Sequence, residues 1–199
     1  MAYPTVSGPY GLKPVNLIGG RVFAGATRQF PIASGYAANI FNGDVVKLVA
    51  AGTLEKDTGT ATATPVGVFI GCAYTSPALG YTLYSQYYPT GTVASDIVAY
   101  VVDDPEALFK VAVTAAGSST MSTVARTAVG NNSVLIQTAG STATGDSKVS
   151  VSATTATTAT QPMRIIDVVP ETATGADAFS EVIVKWNWGM HQYQNATGV

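Results

Sequence analysis

Short runs of β-branched and aromatic residues, each broken by Gly, Asn, Ser or Pro, leave almost nowhere for a helix to grow. The runs are Val22-Phe-Ala24, Arg28-Gln-Phe-Pro-Ile32, Asp44-Val-Val-Lys-Leu-Val49, residues 65–74, residues 81–88, Asp96-Ile-Val-Ala-Tyr-Val-Val102 and Leu108-Phe-Lys-Val-Ala-Val113. Such spacing predicts an all-β chain built as a barrel, a sandwich or a tulip-like variant of these. Asn42-Gly43 is a tight-turn dipeptide, and the small polar stretch 52–64 reads as an exposed hairpin loop. One segment breaks the rhythm. Met121, Val124, Ala125 and Ala128 fall at helical spacing before a Gly130-Asn-Asn132 stop, so 118–129 is expected to form one short helix. Further runs at 133–137, 161–169 and 179–186 return to the sheet. In the last of these, Val182, Val184 and Trp186 alternate with Ile183 and Lys185. The Thr/Ala/Ser-rich stretch 148–160 reads as an edge strand or a low-complexity connector. No internal repeat is visible.

Only 11% of the residues are charged, against roughly 25% in ordinary soluble domains. With 47% hydrophobic residues the chain has enough apolar surface to fold, which excludes wholesale disorder. The formal net charge is -2 and no basic stripe exists, so binding nucleic acid by neutralising phosphates has little support. A surface this poor in charge is weakly protected against self-association, which points to a protein made to pack against copies or partners. No apolar run approaches the roughly 20 residues of a membrane helix. The first nine residues carry no signal-peptide pattern, so synthesis in the cytoplasm is expected.

Three regions are expected. Residues 1–20 form an extended N-terminal arm, spaced by Pro4, Pro9 and Pro14, since proline fixes its own φ and extends its predecessor. Residues 21–113 form the β-barrel or sandwich core. Residues 114–199 form a second β portion with the short helix and a C-terminal tail. The arm is not a polar tail: Tyr3, Val6, Tyr10, Leu12, Val15, Leu17 and Ile18 need burial, either on a neighbour or on their own domain.

Catalytic constellations are thin. Asp103-Asp104-Pro105-Glu106 is the densest acidic cluster, but adjacent residues on an extended chain point oppositely and the Pro makes this turn chemistry rather than a carboxylate dyad. Cys72, the single cysteine, sits in an apolar strand and reads as a core thiol. His191 is the only histidine; with one His and one Cys a protein-built zinc site is discounted, and a structural or interfacial role is expected instead. No phosphate loop or nucleotide fingerprint follows a strand. Aromatic residues gather at Tyr81, Tyr84, Tyr87 and Tyr88, and again at Trp186, Trp188 and Tyr193. These are expected to serve core or protein interface, with sugar stacking as the rival use.

The order of segments resembles a known family. Tyr10-Gly-Leu-Lys-Pro-Val15 leads into Gly20-Arg-Val-Phe-Ala-Gly-Ala-Thr-Arg-Gln-Phe-Pro-Ile-Ala-Ser-Gly-Tyr36, then Gly43-Asp-Val-Val-Lys-Leu48, Pro65-Val-Gly-Val-Phe-Ile-Gly-Cys72, Val102-Asp-Asp-Pro105, His191-Gln-Tyr193 and Thr197-Gly-Val199. Together these resemble the capsid decoration, or cement, proteins of tailed bacteriophages; Trp186-Asn-Trp-Gly-Met190 is longer and more aromatic than that pattern. The resemblance implies a non-enzymatic structural protein without cofactor or metal, made in the host cytoplasm and carried on the outer surface of the virion. Its partners would be the phage major capsid protein and copies of itself, as dimers or trimers. The residues expected at protein interfaces are Tyr3, Tyr10, Leu12, Pro14, Val15 and Leu17 from the arm, with Trp186, Trp188, His191 and Tyr193 from the tail. Two rivals stand beside this: a carbohydrate-binding module using the Tyr81 to Tyr88 aromatics with Asp103 and Asp104, and the main coat protein itself.

Overall fold

The computed structural model describes residues 6–199. In chain order its strands are β1 (Lys13–Leu17), β2 (Arg28–Pro31), β3 (Val45–Leu48), β4 (Leu54–Lys56), β5 (Gly67–Thr75), β6 (Thr82–Ser85) and β7 (Val98–Val102). They continue with β8 (Ala107–Thr114), β9 (Asn132–Ile136), β10 (Ser150–Ala156), β11 (Met163–Val168), β12 (Ala173–Gly175), β13 (Ala178–Phe179) and β14 (Glu181–Trp186). The protein is all-β, as the spacing of its turn formers predicts.

Five strands close into a barrel in the order β8-β10-β9-β11-β14 and back to β8. The β10–β8 pair is parallel and the other four are antiparallel. Alternation places every second side chain inside. Phe109, Val111 and Val113 of β8, Met163 and Ile165 of β11, and Val182, Val184 and Trp186 of β14 all enter one buried cluster. Each such side chain contributes about 1.5–3 kcal/mol when fully removed from water. β1 lies along β8 opposite Ala107 to Lys110, while β10 takes the same edge further on, at Val113 and Thr114.

The remaining large sheet runs β2-β7-β5-β3-β4, with β6 added to β5. A bridge from Ile32 to Leu54 brings its two ends together. Its faces divide the labour residue by residue: Val46, Phe69 and Val101 fill its own core with Phe30, Ile40 and Tyr88. Val45, Val68 and Val102, the residues beside them, turn the other way and pack into the barrel cluster. The two β units therefore share a dry seam.

Polar groups fix that seam. The fully buried Asp44 accepts from Lys56 Nζ at 2.8 Å, the Phe41 N–H at 2.9 Å and the Ser147 hydroxyl at 2.6 Å, so its charge is paired and its lone pairs are used. Nearby, Gly11 has φ +82°, and a Cβ there would meet Ser147 Cβ at 2.7 Å and Gly43 O at 2.9 Å. Only glycine lets the incoming arm cross so close.

Several expectations are corrected. Of the two fates left open for the arm, its described part takes its own domain: Leu12 is fully buried in the barrel cluster, and β1 pairs with β8 beside the five-strand ring, because the extended backbone finds ladder partners there. The chain passes from one β unit to the other at the 103–106 turn, so β8 belongs with the barrel and not with the strands before it. The stretch 118–129 holds only a 3-10 turn at Arg126–Ala128; Met121 and Val124 instead form β-bridges to Thr114 and Phe179. The loop expected at 52–64 contains β4, and its remainder docks on the barrel through Thr60 O to the Leu135 N–H. β10 is neither edge nor connector, since it is paired on both sides.

Candidate functional site

The arm, the β7–β8 turn and the tail meet at the end of the barrel where β8 begins. Leu17 of β1 lies opposite Ala107, and Val184 of β14 lies opposite Phe109, so β1 and β14 both finish there. After β1 the chain folds back over residues 18–27 to reach β2, and an apolar cleft of about 430 Å³ opens beneath it. Leu17, Val22, Phe23 and Ala24 line one side; Thr27, Arg28, Asp103 and Asp104 line the other. Val22, which also lines the cleft, is 77% exposed.

The polar side of the cleft is tightly organised. Arg28 Nε pairs with Asp103 Oδ2 at 3.1 Å, and the Tyr193 hydroxyl donates to the same oxygen at 2.8 Å. The Arg28 guanidinium also stands 5.6 Å from the Tyr193 ring centre, a cation–π contact. Partial burial, followed by the Asp103 carboxylate, pushes the Tyr193 phenol up to about 12, so it is a hydrogen-bond donor at every physiological pH. The neighbouring acids are occupied separately: Asp104 Oδ1 accepts the Glu106 N–H at 2.7 Å, and Glu106 pairs with Lys185 at 2.9 Å. The acidic run is a turn whose carboxylates are each held by a different partner, as its proline implies.

The tail that delivers Tyr193 is anchored residue by residue. Asn187 donates to the carbonyls of Ala159 and Gln161. Gln192 caps β3 with a two-way amide contact, accepting from the Leu48 N–H at 2.8 Å and donating to Leu48 O at 3.0 Å. His191 is fully buried between them, its Nδ1 accepting the Tyr193 N–H at 3.3 Å. Burial lowers its pKa; the Val66 backbone and the Asp103 and Asp104 carboxylates only partly oppose this. Rings run outward from the core in sequence: Phe109 to Trp186 at 5.4 Å, Trp186 to His191 at 6.2 Å, His191 to Tyr193 at 5.0 Å.

The structure thus sorts the interface residues expected from sequence. Tyr3 lies outside the described residues. Leu12, Trp186 and His191 are core residues and present nothing to a partner, because β-sheet alternation or tail packing turns each inward. Tyr10 is half-buried, its hydroxyl donating to Glu181 and its ring under Lys110, so it fastens the chain to its own barrel. Pro14 and Leu17 are half-buried in or beside β1, Val15 is 40% exposed, Tyr193 is 45% exposed and Trp188 is 78% exposed. The sequence reading missed Val22, Phe23 and Arg28 as site residues. An exposed valine has no sequence signal, but the Arg28–Asp103 pairing follows from β2 and β7 being neighbours.

Among the described residues no group of three or more His, Cys, Asp or Glu is placed to hold a metal ion. Cys72 is buried and its thiol is pushed up to about 12 by desolvation, far from the thiolate a nucleophile needs. No helix of the described residues is long and apolar enough to cross a membrane. No family model matches the chain, and neither a curated protein nor a solved structure is significantly similar to it.

Proposed function

We propose that the protein is a binding protein of a bacteriophage head, decorating the outer surface of the capsid and clamping neighbouring capsomers. The observation that carries this reading is the cleft at the barrel end. It is lined by Leu17, Phe23 and the exposed Val22 together with Arg28 and Asp103, which pair with one another, and Tyr193 bonds to that pair from beside the cleft. Such a surface gains from covering apolar area, while the Arg28–Asp103 pair, with Arg28 still largely in water, favours a place at the rim of a contact over its dry centre. The segment order in the sequence supplies the kind of partner, a shell of major capsid protein. Binding acts by mass action, since a ligand that prefers the assembled shell stabilises it, and repeated copies multiply the effect.

The test is decoration of purified heads by the protein and by Val22→Asp and Tyr193→Ala variants. Each variant is expected to lower apparent affinity by about tenfold or more, equivalent to about 1.4 kcal/mol, with unchanged far-UV circular dichroism. Undiminished decoration by both folded variants overturns the site. Heads assembled without the protein should be intact shells lacking surface density; absent shells would favour the main coat protein instead.

A second reading has its own observation. Tyr81 and Tyr84 are 55% and 79% exposed, whereas Tyr88 is core and Tyr87 stacks on Phe41. Two exposed phenol rings are what a neutral glycan would stack on. Glycan-array binding abolished by Tyr84→Ala would establish that use.

A further inference from the structure

Among the described residues the strand β6 has one partner, β5, and none of them pairs with its other edge. Its register decides what that edge offers. Ser76 N–H donates to Tyr81 O at 3.0 Å, and from there the pairs Tyr74–Leu83 and Cys72–Ser85 continue the hydrogen-bonded phase. Thr82 and Tyr84 therefore turn their N–H and C=O groups away from β5. Both residues are exposed, and neither backbone makes a bond to any other described segment.

Sheets ordinarily protect such an edge with lysine, proline, a bulge or a covering loop. Here the protection is missing. From Asp57 to Asp96 the chain contains no Asp, Glu, Lys, Arg or His in between, and Leu79, Tyr81 and Tyr84, in β6 and the hairpin leading into it, are all strongly exposed. No residue of β6 or of the hairpin that leads into it carries a charge, and Asp146, which accepts from Gln86 just beyond the strand at 3.0 Å, is the carboxylate that touches this neighbourhood.

We infer that β6 is a self-association strand, pairing antiparallel with β6 of a second copy about a two-fold axis through Leu83. The spacing is self-complementary. With Leu83 opposite Leu83 of the partner copy, Thr82 of each chain faces Tyr84 of the other. The two outward residues then exchange four N–H···O=C bonds and leave no outward group unpaired. Each Tyr84 ring lies beside a β-branched Thr82, a favourable cross-strand pair. The contact is isologous, so it closes at two copies rather than growing. It uses a different surface from the barrel-end cleft and needs no shell, so it stands or falls independently of the head-binding proposal.

Light scattering coupled to size exclusion, run on the purified full chain, is expected to give twice the 20.4 kDa chain mass at tens of micromolar. Thr82→Pro removes an outward N–H without touching the β5 ladder, and Tyr84→Lys places a charge on the edge. Each should weaken dimerisation by at least tenfold while circular dichroism and Tm stay at wild-type values. Leu83→Cys places two thiols across a non-hydrogen-bonded pair, where Cβ atoms are about 4.5–5.5 Å apart. It should oxidise to a covalent dimer, while the control Val93→Cys should not. Wild-type protein that stays monomeric throughout this range overturns the inference. So does wild-type dimerisation by a folded Tyr84→Lys variant, which keeps the test decisive if Thr82→Pro misfolds. Open-ended oligomers in place of a dimer also overturn it.

Discussion

Trp186 and Trp188 are two positions apart and live in different worlds. Trp186 is 2% exposed against Phe109, while Trp188 is 78% exposed. Trp186→Ala is expected to cost about 3–5 kcal/mol, read as a large drop in urea midpoint; Trp188→Ala should stay within about 0.5 kcal/mol. Equal losses would contradict the core assignment. Alternation alone did not carry this distinction, because Trp188 keeps the phase of Val182, Val184 and Trp186; what separates the two is that β14 ends at Trp186 and the chain turns at 188–190. His191 is harder to read, since burial of a histidine in a tail depends on what Gln192 and Asn187 hold in place. Its lowered pKa has a direction in pH. The unfolded chain takes up a proton near 6.5 that the buried ring resists, so stability is full above that value and falls as pH drops below it. Thermal melts at pH 7.5 and 5.5 should show a smaller difference for His191→Gln than for the native chain; an identical difference would remove His191 as the cause.

The strands were legible because short runs of Val, Ile and Tyr bounded by turn formers have few other uses. Their partners were not. β10 looked like a connector since its side chains are small, yet Ser150, Val151 and Ser152 are buried and the Ser150 hydroxyl meets that of Thr114 at 2.7 Å. Small residues there let barrel walls pass closely, and composition alone reads that as looseness. The segment 118–129 had helical spacing but only one turn of it formed, as short isolated helices need tertiary support and its apolar residues found β-bridges instead. The arm's prolines announced extension without saying onto what. Because β1 pairs along β8 and Leu12 is buried in the barrel cluster, removal of residues 1–20 is expected to lower stability by several kcal/mol, at least the about 2–5 kcal/mol lost when a buried Leu such as Leu12 is deleted. Removal of residues 1–9 should lose less than half as much. Calorimetry of the two truncations separates them, and equal melting temperatures would show β1 to be dispensable.

At the scale of the molecule, two β units are held together by the valine seam, the Asp44 cluster and the tail. The tail crosses from β14 of the barrel to β3 of the other unit through Gln192, then to Arg28 and Asp103 through Tyr193. Deleting residues 188–199 removes His191 from beside Trp186 but leaves the strands of both units in place, and should chiefly loosen their joint. The expected sign is a broader calorimetric transition, with van't Hoff enthalpy falling below the calorimetric value; a sharp, unchanged transition would show that the seam alone suffices.

Closure of the barrel sets an order of events during synthesis. β8 can be made and even paired with β1 early, but the ring has no last stave until residues 181–186 have emerged. Until then the apolar lining of four strands faces solvent, and long-range strand pairing of this kind is slow. A chain interrupted shortly before that point has nearly all its mass and one finished core, in the sheet of residues 28–102, but an open barrel, so half of the molecule waits on its last strand.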